Sequence, residues 1–471
     1  MSLTKRKDID MTTGPLLSKM LVFIFPLMIS NLLQAFYNAA DMIVVGFSSE
    51  PDALGAIGTT TAFTALILNL LVGISVGANV VVARHIGEKE GEKTSRAVHT
   101  ATVVGLAIGI VGAAVGYVIT PGVMRLIGNE GKLLELSVRY ARVYFVALPF
   151  HALSNFAISI HRAKGDTQTP LVVLSCTGLL NVGLNLFFVL VCGMSVEGVA
   201  IATGIAAAVS TLALYGNLAR DKGACHFSLR RLRLDVNEMK PILRIGIPAG
   251  LQSALFSISN IIIQSSVLQI NNAVTPAGAE YAPVVKANAA VANIGTFAFT
   301  AMNAASLATV SFTSQNLGAE KYARVKRVAA LSYALLIGIS ATISLLLILF
   351  HKPLFALYDL HDLPDALSQI AWHAAKVRMW WIWPFFFTSA FMDCGSSILR
   401  GQGKSILATV SCLIGTCALR VVWIYTVFRA VFTLDMIYIS YPISWVLTGV
   451  TLLGFVLWLF SRFPKEQTAD Q

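Results

Sequence analysis

One acidic residue, Asp41, lies within a long apolar stretch near the start of the chain. Three amides share its predicted helical face, because they precede it at helical intervals: Asn31, Gln34 and Asn38. Ionisable groups at membrane depth are costly and mark functional sites. A carboxylate there can take up a proton or hold a cation, so Asp41 is the predicted ion-coupling residue. The alternatives are a structural role for Asp41 and a polar seam between helices for the amides.

Amides on two later predicted helices suit the same chemistry. Asn181 and Asn185 are spaced as i and i+4, which places them on one face of the fifth predicted helix, and Asn155 lies in the fourth. Amide oxygens beside a carboxylate suit a hard monovalent cation or a proton-linked hydrogen-bond network. We therefore group these three amides with Asp41.

A substrate cavity is predicted between polar faces and aromatic side chains. The seventh predicted helix repeats the polar face of the first with Ser253, Ser257, Asn260 and Gln264, and Asn260 aligns with Asn38. Aromatic residues occur at Phe36, Tyr37, Phe150, Phe156 and along 380–387. They either cage flat organic cations through cation–π contacts or face lipid. The predicted cavity residues are Asn31, Gln34, Phe36, Tyr37, Asn38, Phe156, Ser253, Ser257, Asn260, Gln264 and Asp393.

Asp393 is the only acid in the middle of the tenth predicted helix, and it aligns with Asn155. It either meets a cationic substrate or forms an internal ion pair with Arg420. The sequence leaves both roles open.

No enzyme signature is present in the sequence. It has no GxxxxGK[ST] nucleotide-binding loop and no HExxH zinc motif. The six cysteines form no CxxC pair, which indicates packing residues rather than metal ligands. We expect no enzymatic activity, no resident metal and no cofactor. The energy for transport must then come from an ion gradient.

Composition identifies a membrane protein. Of 471 residues, 56% are hydrophobic and only 13% are charged, whereas soluble proteins carry about 25% charged residues. The net charge of +11 does not indicate a nucleic-acid partner, because the basic residues form short clusters between apolar runs. This distribution marks cytoplasmic loops and predicts an integral membrane protein with both termini in the cytoplasm.

Twelve apolar segments are long enough to cross the roughly 30 Å hydrocarbon core of a bilayer. They cover residues 16–46, 53–83, 97–121, 136–161, 168–192, 197–219, 240–270, 284–315, 328–350, 371–398, 405–430 and 436–461. The segments are continuous and lack polar alternation, which excludes a β-barrel. The predicted fold class is therefore an all-α integral membrane protein with twelve transmembrane helices.

The two halves of the chain repeat one another. The sequence GTTTAFTA (58–65) recurs as GTFAFTA (295–301), IGEKEGEKTSRAV (86–98) as LGAEKYARVKRVA (317–329), and HRAKGDTQTPLVVLSC (161–176) as LRGQGKSILATVSC (399–412). Six spans per half predict a parallel repeat, with two six-helix lobes related by a pseudo-two-fold axis along the membrane normal. The predicted boundaries are an N-lobe at 1–219, a cytoplasmic basic linker at 220–239 and a C-lobe at 240–471.

These motifs, together with PLMISNLLQAFYNAADMIVVG (26–46), resemble the multidrug and toxic compound extrusion (MATE) family, in its DinF-like and MepA-like bacterial branch. The resemblance covers essentially the whole chain. It implies a V-shaped pair of lobes in the bacterial inner membrane. It also implies efflux by alternating access of amphipathic, mostly cationic organic compounds, in exchange for H⁺ or Na⁺.

The resemblance also implies site residues. It assigns the first-helix acid to Asp41 and completes an ion-coupling set with Asn155, Asn181, Asn185 and Thr203. The family commonly has a second carboxylate where this chain has Asn185, and its absence favours proton over sodium coupling. The carboxy-lobe acids of the NorM branch are also absent, and Ser389 stands at one of those positions, one turn from Asp393.

Three other functions remain open from the sequence. A lipid-linked oligosaccharide flippase of the same superfamily would need an arginine-rich cavity for pyrophosphate. A major facilitator carrier would need an acid before the glycine of its loop, which VARHIGEKEGEK (82–93) lacks. A non-transporting receptor or scaffold leaves Asp41 unexplained. The expected partners are small organic cations and the lipid bilayer, and the protein is expected to be a monomer.

Overall fold

The computed structural model describes residues 8–46, 50, 52–276, 278–279, 281–361 and 365–464, and in these residues it contains helices and no β-strand. The helices are α1 Leu16–Val45, α2 Ala53–Gly87, α3 Gly91–Leu126, α4 Gly131–Val146, α5 Leu148–Lys164, α6 Gln168–Leu186, α7 Val196–Ala219, α8 Val236–Val274, α9 Pro283–Gly318, α10 Tyr322–Leu349, α11 His351–Ala356, α12 Ala366–Ile382, α13 Phe386–Gly401, α14 Ser405–Cys412, α15 Leu419–Trp423, α16 Leu434–Tyr438 and α17 Ser440–Ser461. Wider π-helical turns extend α6 through Phe187–Val191 and join α14 to α15 through Leu413–Ala418; a third, Ile424–Phe428, follows α15.

All twelve predicted spans correspond to helical segments in this order. Among the described residues, nine helical segments are long and apolar enough to cross a membrane, or ten when the bent pair α4 and α5 is counted as one span. The other two predicted spans are α9 and the pair α12 and α13, whose sequences hold more small and polar residues. The prediction of an all-α integral membrane protein is confirmed.

Three spans predicted as continuous helices are interrupted, and the one at 436–461 is divided at Ile439 into α16 and α17. The span at 136–161 is divided at Ala147 into α4 and α5, which are bent by 48°. Pro149 lies at the start of α5, and Pro384 lies in the gap between α12 and α13. Proline lacks an N–H and clashes with the preceding turn. Hydropathy alone did not reveal these breaks, because it averages over a whole segment and does not register a single proline.

The sequence repeat is matched by repeated backbone conformations. Gly165 and Gly403, which align in the repeat, have φ angles of +95° and +80°. This left-handed region is open to glycine at little cost. Lys89 and Glu320 each lie two residues after an aligned glycine, and their φ angles are +58° and +55°. Corresponding loops of the two halves therefore share the same turn.

The described residues divide into two compact units, and the first comprises those of Met1–Ala254 together with Ser311–Lys321. Within it, the ends of α2 and α9 meet through backbone. A Cβ on Gly87 would lie 2.1 Å from the Gln315 oxygen, and a Cβ on Gly318 would lie 2.1 Å from the Arg84 oxygen. Only glycine permits this approach. Gln315 also donates to the backbone oxygen of Ala163 at the end of α5 (2.6 Å).

The segment before α1 also packs within the first unit. The backbone N–H of Ile9 donates to the Gly165 oxygen (3.3 Å), and Asn316 donates its side-chain amide to the Met11 oxygen (3.1 Å). The Met11 side chain is fully buried. Residues 8–13 therefore join the ends of α5 and α9.

A buried ionic cluster lies at the end of α5. Lys164 Nζ is 3.0 Å from Asp221 Oδ2, and His161 Nδ1 is 3.2 Å from Asp166 Oδ2. Burial by itself raises the pKa of Asp166, but the hydrogen bond and charge of His161 and the Thr169 N–H together hold that pKa well below its usual range. Asp166 therefore stabilises the folded protein as a carboxylate.

The second unit comprises Leu255–Val310 and the described part of Tyr322–Gln471. In it, α13 packs against both α10 and α17. The division of the chain at residues 219 and 240 remains a prediction from the repeat.

Candidate functional site

A chain of polar side chains connects three helices of the first unit. Asp41 on α1 accepts a 2.5 Å hydrogen bond at Oδ1 from Asn185 Nδ2 on α6. The same amide group lies 3.3 Å from Asn181 Oδ1, one turn earlier on α6. Asn181 Nδ2 donates to Thr203 Oγ1 on α7 (3.3 Å), and Thr203 donates to the Val199 oxygen (2.9 Å). The structure thus brings together four of the five predicted ion-coupling residues.

Close packing of α1 on α6 determines which residues of the two helices meet in this hydrogen-bonded network. Tyr37, one turn before Asp41, lies directly over Gly178, where an added Cβ would be 1.8 Å from the tyrosine ring. The Tyr37 hydroxyl donates to the Ser175 oxygen (3.2 Å). Gly178 and Ser175 precede Asn185 by about two to three turns of the same helix, so this contact fixes where Asp41 meets α6.

The environment of Asp41 combines burial with a neutral partner. Asn185 is completely buried, and its Oδ1 has no hydrogen-bond partner among the described residues. Tyr140 and Tyr144 on α4 are also buried and lie close enough to interact with the charge of Asp41. The sequence analysis did not select these tyrosines, because only the fold brings α4 beside α1.

Asn155, the fifth predicted ion-coupling residue, does not belong to the hydrogen-bonded network of Asp41. Its Nδ2 donates to the His151 oxygen of the preceding turn of α5 (2.8 Å). His151 is stacked on Tyr144 with ring centroids 5.3 Å apart. Asn155 is therefore linked to the surroundings of Asp41 through packing rather than through a direct hydrogen bond.

The predicted cavity residues of the first half occupy different environments. Phe36 is 58% exposed and Gln34 is exposed, whereas Asn31 is half-buried. The Asn38 side chain lies outside what the structure describes. Phe156 is fully buried and packs against Gly105 of α3, where an added Cβ would be 2.8 Å from its ring. The structure thus places Phe156 in the packing core, because the fold lays α5 directly on α3.

The polar residues predicted on the seventh span lie along α8. Ser253 and Ser257 are half-buried, and the Ser253 hydroxyl donates to the Ala249 oxygen of its own helix (3.3 Å). Asn260 and Gln264 are exposed.

Asp393, on α13, does not form the ion pair that the sequence left open. No ion pair within 4 Å joins it to Arg420, although both side chains are described. Arg420 instead donates from Nε to Ser444 Oγ (2.9 Å) and lies 4.0 Å over the ring of Tyr441. The charged side chain that interacts electrostatically with Asp393 is Arg400.

Comparison with known proteins identifies the family to which the chain belongs. The MatE family model matches residues 26–187 and 248–426, well over half of the chain. The chain belongs to the MatE family. This MatE protein is 27% identical over 402 residues to the probable multidrug resistance protein YoeA of Bacillus subtilis, a match that covers 83% of this chain and 82% of that relative. It is 23% identical over 250 residues to the multidrug export protein MepA of Staphylococcus aureus, covering 53% and 55% respectively.

Solved structures show the same fold. The MatE chain resembles a crystal structure of a MATE mutant with a TM-score of 0.86 and 20% identity, over 98% of this chain and 99% of that one. It resembles the outward-facing conformation of a multidrug resistance MATE family transporter with a TM-score of 0.84 and 21% identity, over the same shares. The resemblance drawn from the sequence motifs is thus confirmed. This MatE protein is a multi-pass membrane protein of the bacterial MATE type, and its relatives are transporters.

Proposed function

We propose that this protein is a secondary active antiporter that exports amphipathic, mostly cationic organic compounds and is driven by protons. The observation that carries the proposal is the hydrogen bond from Asn185 to Asp41 in a buried network whose other members are neutral. The names of the relatives, which are multidrug resistance and export proteins, support the substrate class.

The Asn185 amide can serve both protonation states of Asp41. When Asp41 is ionised, Nδ2 donates to the carboxylate. When Asp41 is protonated, the acid becomes a donor and needs an acceptor. The Asn185 Oδ1, which is buried without a partner among the described residues, provides that acceptor once the amide turns over. Loading and release of one proton therefore require only a local rearrangement.

Sodium fits this network less well. A bound Na⁺ must exchange its water for several protein oxygens, and a second carboxylate would help to compensate for its charge. The network holds one carboxylate together with Asn181, Asn185 and Thr203, which are all uncharged. Asp41 also supplies negative charge that can attract a cationic substrate. Because both would bind at Asp41, the proton and the cationic substrate compete for this side chain, as antiport requires.

Orientation and assembly are part of the same proposal. The basic residues that follow α2, α7 and α9 fall on the side of the termini, which supports cytoplasmic termini and insertion in the bacterial inner membrane. We also propose that the protein works as a monomer.

The test is efflux by purified protein in proteoliposomes that carry either a proton gradient without sodium or a sodium gradient at fixed pH. Ethidium is the cationic probe, and liposomes without protein are the control. We expect concentrative ethidium transport with the proton gradient and little with the sodium gradient. Sodium-driven transport alone would refute proton coupling. Tight binding of a lipid pyrophosphate without any cation transport would favour a flippase.

A further inference from the structure

The linker between α7 and α8 contains a short run of arginines and leucines within the sequence SLRRLRLD (228–235). Every residue from 229 to 234 is exposed. The exposed fraction is 74% for Leu229, 39% for Leu232 and 50% for Leu234. We call residues 229–234 the arginine–leucine loop. Apolar side chains that lie together outside a membrane span mark an interaction surface.

Both ends of the arginine–leucine loop are fixed to α3. The backbone N–H of Ser228 donates to Nε2 of His99 (3.1 Å). The backbone N–H of Asp235 donates to Oγ1 of Thr100 (3.1 Å). Just before the loop, Phe227 is buried and its ring stacks on that of His99, with centroids 5.6 Å apart. The exposed side chains are therefore presented by a backbone that is anchored on both sides.

The arginines of the loop have no acidic partner in the described part of the chain, where no ion pair within 4 Å includes Arg230, Arg231 or Arg233. The adjacent acid, Asp235, has its Oδ2 3.9 Å from Nη1 of Arg96 instead. The loop between α2 and α3 differs, because Lys93 Nζ lies 2.7 Å from Glu90 Oε2. The arginine–leucine loop thus presents positive charge that is available to an external anion.

The position of the loop in the chain places it at one surface of the bilayer. It joins α7 to α8, which are both long and apolar enough to cross a membrane. One face of α8 carries exposed residues at helical intervals, in the order Lys240, Arg244, Ile247 and Leu251. The change from basic to apolar residues on this face marks the edge of the hydrocarbon. That edge lies only about two turns from the start of α8.

We propose that the arginine–leucine loop docks onto a bilayer surface that contains anionic phospholipids. The guanidinium groups contact phosphate oxygens, which arginine binds through parallel N–H donors. The leucine side chains enter the boundary between headgroups and acyl chains. Charge complementarity favours an anionic occupant, and the three exposed leucines favour a lipid surface over a soluble acidic protein. This interaction lies beyond the proposed antiport, because it depends on neither the coupling ion nor the exported compound.

Limited proteolysis tests docking directly, because trypsin cleaves after the arginines of the loop. The full-length protein is placed in nanodiscs of phosphatidylcholine alone or of phosphatidylcholine mixed with phosphatidylglycerol. Cleavage after Lys89 is the internal reference, since Lys89 is exposed in the loop between α2 and α3. Relative to this reference, cleavage of the arginine–leucine loop should be at least about tenfold slower with phosphatidylglycerol. Equal relative rates in the two lipids would overturn the proposal.

Replacing a leucine separates insertion from attraction between charges. In nanodiscs with phosphatidylglycerol, Leu229→Ser should raise the relative cleavage rate of the loop at least about threefold, because less apolar surface enters the membrane. The matched control is Leu126→Ser, since Leu126 is 89% exposed at the end of α3 and lies outside the linker. Both variants should keep the thermal unfolding profile of the wild type. Unchanged protection in Leu229→Ser would refute insertion of the loop.

Direct lipid binding tests the arginines, whose replacement removes the trypsin sites. Binding of phosphatidylglycerol to the full-length protein in detergent is measured by native mass spectrometry. Arg231→Gln should weaken it about fivefold, which corresponds to about 1 kcal/mol for one arginine near an anionic surface. The matched control is Arg220→Gln, since Arg220 is exposed on the same linker but is followed by Asp221 and has no exposed leucine beside it. Equal loss in the two variants would contradict a site in the loop.

Soluble polyglutamate distinguishes a lipid surface from an acidic protein. Added to nanodiscs of phosphatidylcholine alone, it should leave trypsin cleavage of the loop nearly unchanged. Protection as strong as that given by phosphatidylglycerol would show that the loop recognises an acidic protein, and would overturn the proposal. These measurements use no ion gradient and no exported compound, so failure of this proposal and failure of proton-driven efflux give different results.

Discussion

The two halves of the chain repeat one sequence pattern but place different polar groups within it: the Asp41 network lies in the first half, and Arg378 and Arg420 lie in the second. The packing is alike: Phe63 of GTTTAFTA meets Phe145 edge-on at 5.2 Å, and Phe299 of GTFAFTA meets Phe386 edge-on at 4.5 Å. The polar groups differ. The first half has a carboxylate among neutral amides, and the second has Arg378 and Arg420 without a carboxylate within 4 Å in the described residues.

This difference shows that the residues that determine helix packing are not the residues that determine the charge of each half. Glycines and aromatic side chains determine how closely helices approach, and the repeat retains them in both halves. A few polar residues set the electrostatic character, and they can change while the helix contacts remain. The predictions below test whether ion coupling belongs to the first half alone.

The largest effect is expected for Asp41→Asn. The amide fills the same volume but cannot exchange a proton, so concentrative ethidium efflux should fall at least tenfold, to about the level of empty liposomes. Expression and thermal unfolding should stay near those of the wild type. The matched variant in the second half is Asp393→Asn, which should retain uphill transport. Equal loss in both variants would show that coupling is shared between the halves.

A second carboxylate should change the ion that the first half accepts. In Asn185→Asp, two acids on α1 and α6 would face one another, and a second negative charge at this distance is worth several kcal/mol to a bound cation. Sodium-driven efflux, or sodium affinity measured by calorimetry, should rise about tenfold or more. If the wild type already runs on sodium and the variant does not differ from it, the interpretation of this position is wrong.

An intermediate effect is expected where α1 packs on α6. Gly178→Ala places a Cβ inside the Tyr37 ring, so α1 must move away and the Asp41–Asn185 hydrogen bond should lengthen. Overpacking of this kind costs about 1–3 kcal/mol, which a thermal unfolding experiment in detergent can measure. Gly183→Ala on the same helix is the control, because nothing lies within 4 Å of a Cβ there. Identical unfolding midpoints would contradict the proposed role of this contact.

The smallest effect concerns the loops near the start of the third repeated motif. Asp166 in the first half corresponds to Lys404 in the second. Because the pKa of Asp166 is lowered in the folded protein, its contribution is complete above the unfolded value of about 4 and is lost as the pH falls below it. Asp166→Asn should therefore cost about 1 kcal/mol at neutral pH and reduce the loss of stability that the wild type shows as the pH falls from about 5 to about 2. The unfolding midpoint as a function of pH measures both, with Asp52→Asn as a surface control.

Several features of the site could be predicted from local sequence. Asp41, Asn181 and Asn185 were selected because charge and amides are rare within apolar runs, and helical spacing places the two amides on one face. Tyr140 and Tyr144 could not be selected in this way, since tyrosine is common in membrane helices. The partners of Arg378 and Arg420 could not be predicted either, because only tertiary packing places Arg378 of α12 over the ring of Tyr438 and Arg420 of α15 over the ring of Tyr441.

The sequence by itself determined that this chain is a twelve-helix membrane protein with an internal repeat, because the length of apolar runs and the order of repeated motifs are properties of the chain alone. Tertiary structure alone decided which polar residues meet. Phe156 was expected at a cavity and is buried against Gly105, Asn155 bonds within its own helix, and Asp393 stands apart from Arg420. The reason is geometric: helical periodicity gives the face on which a side chain lies, but the rotation and distance of the neighbouring helix, set by contacts such as Tyr37 on Gly178, determine what that face touches.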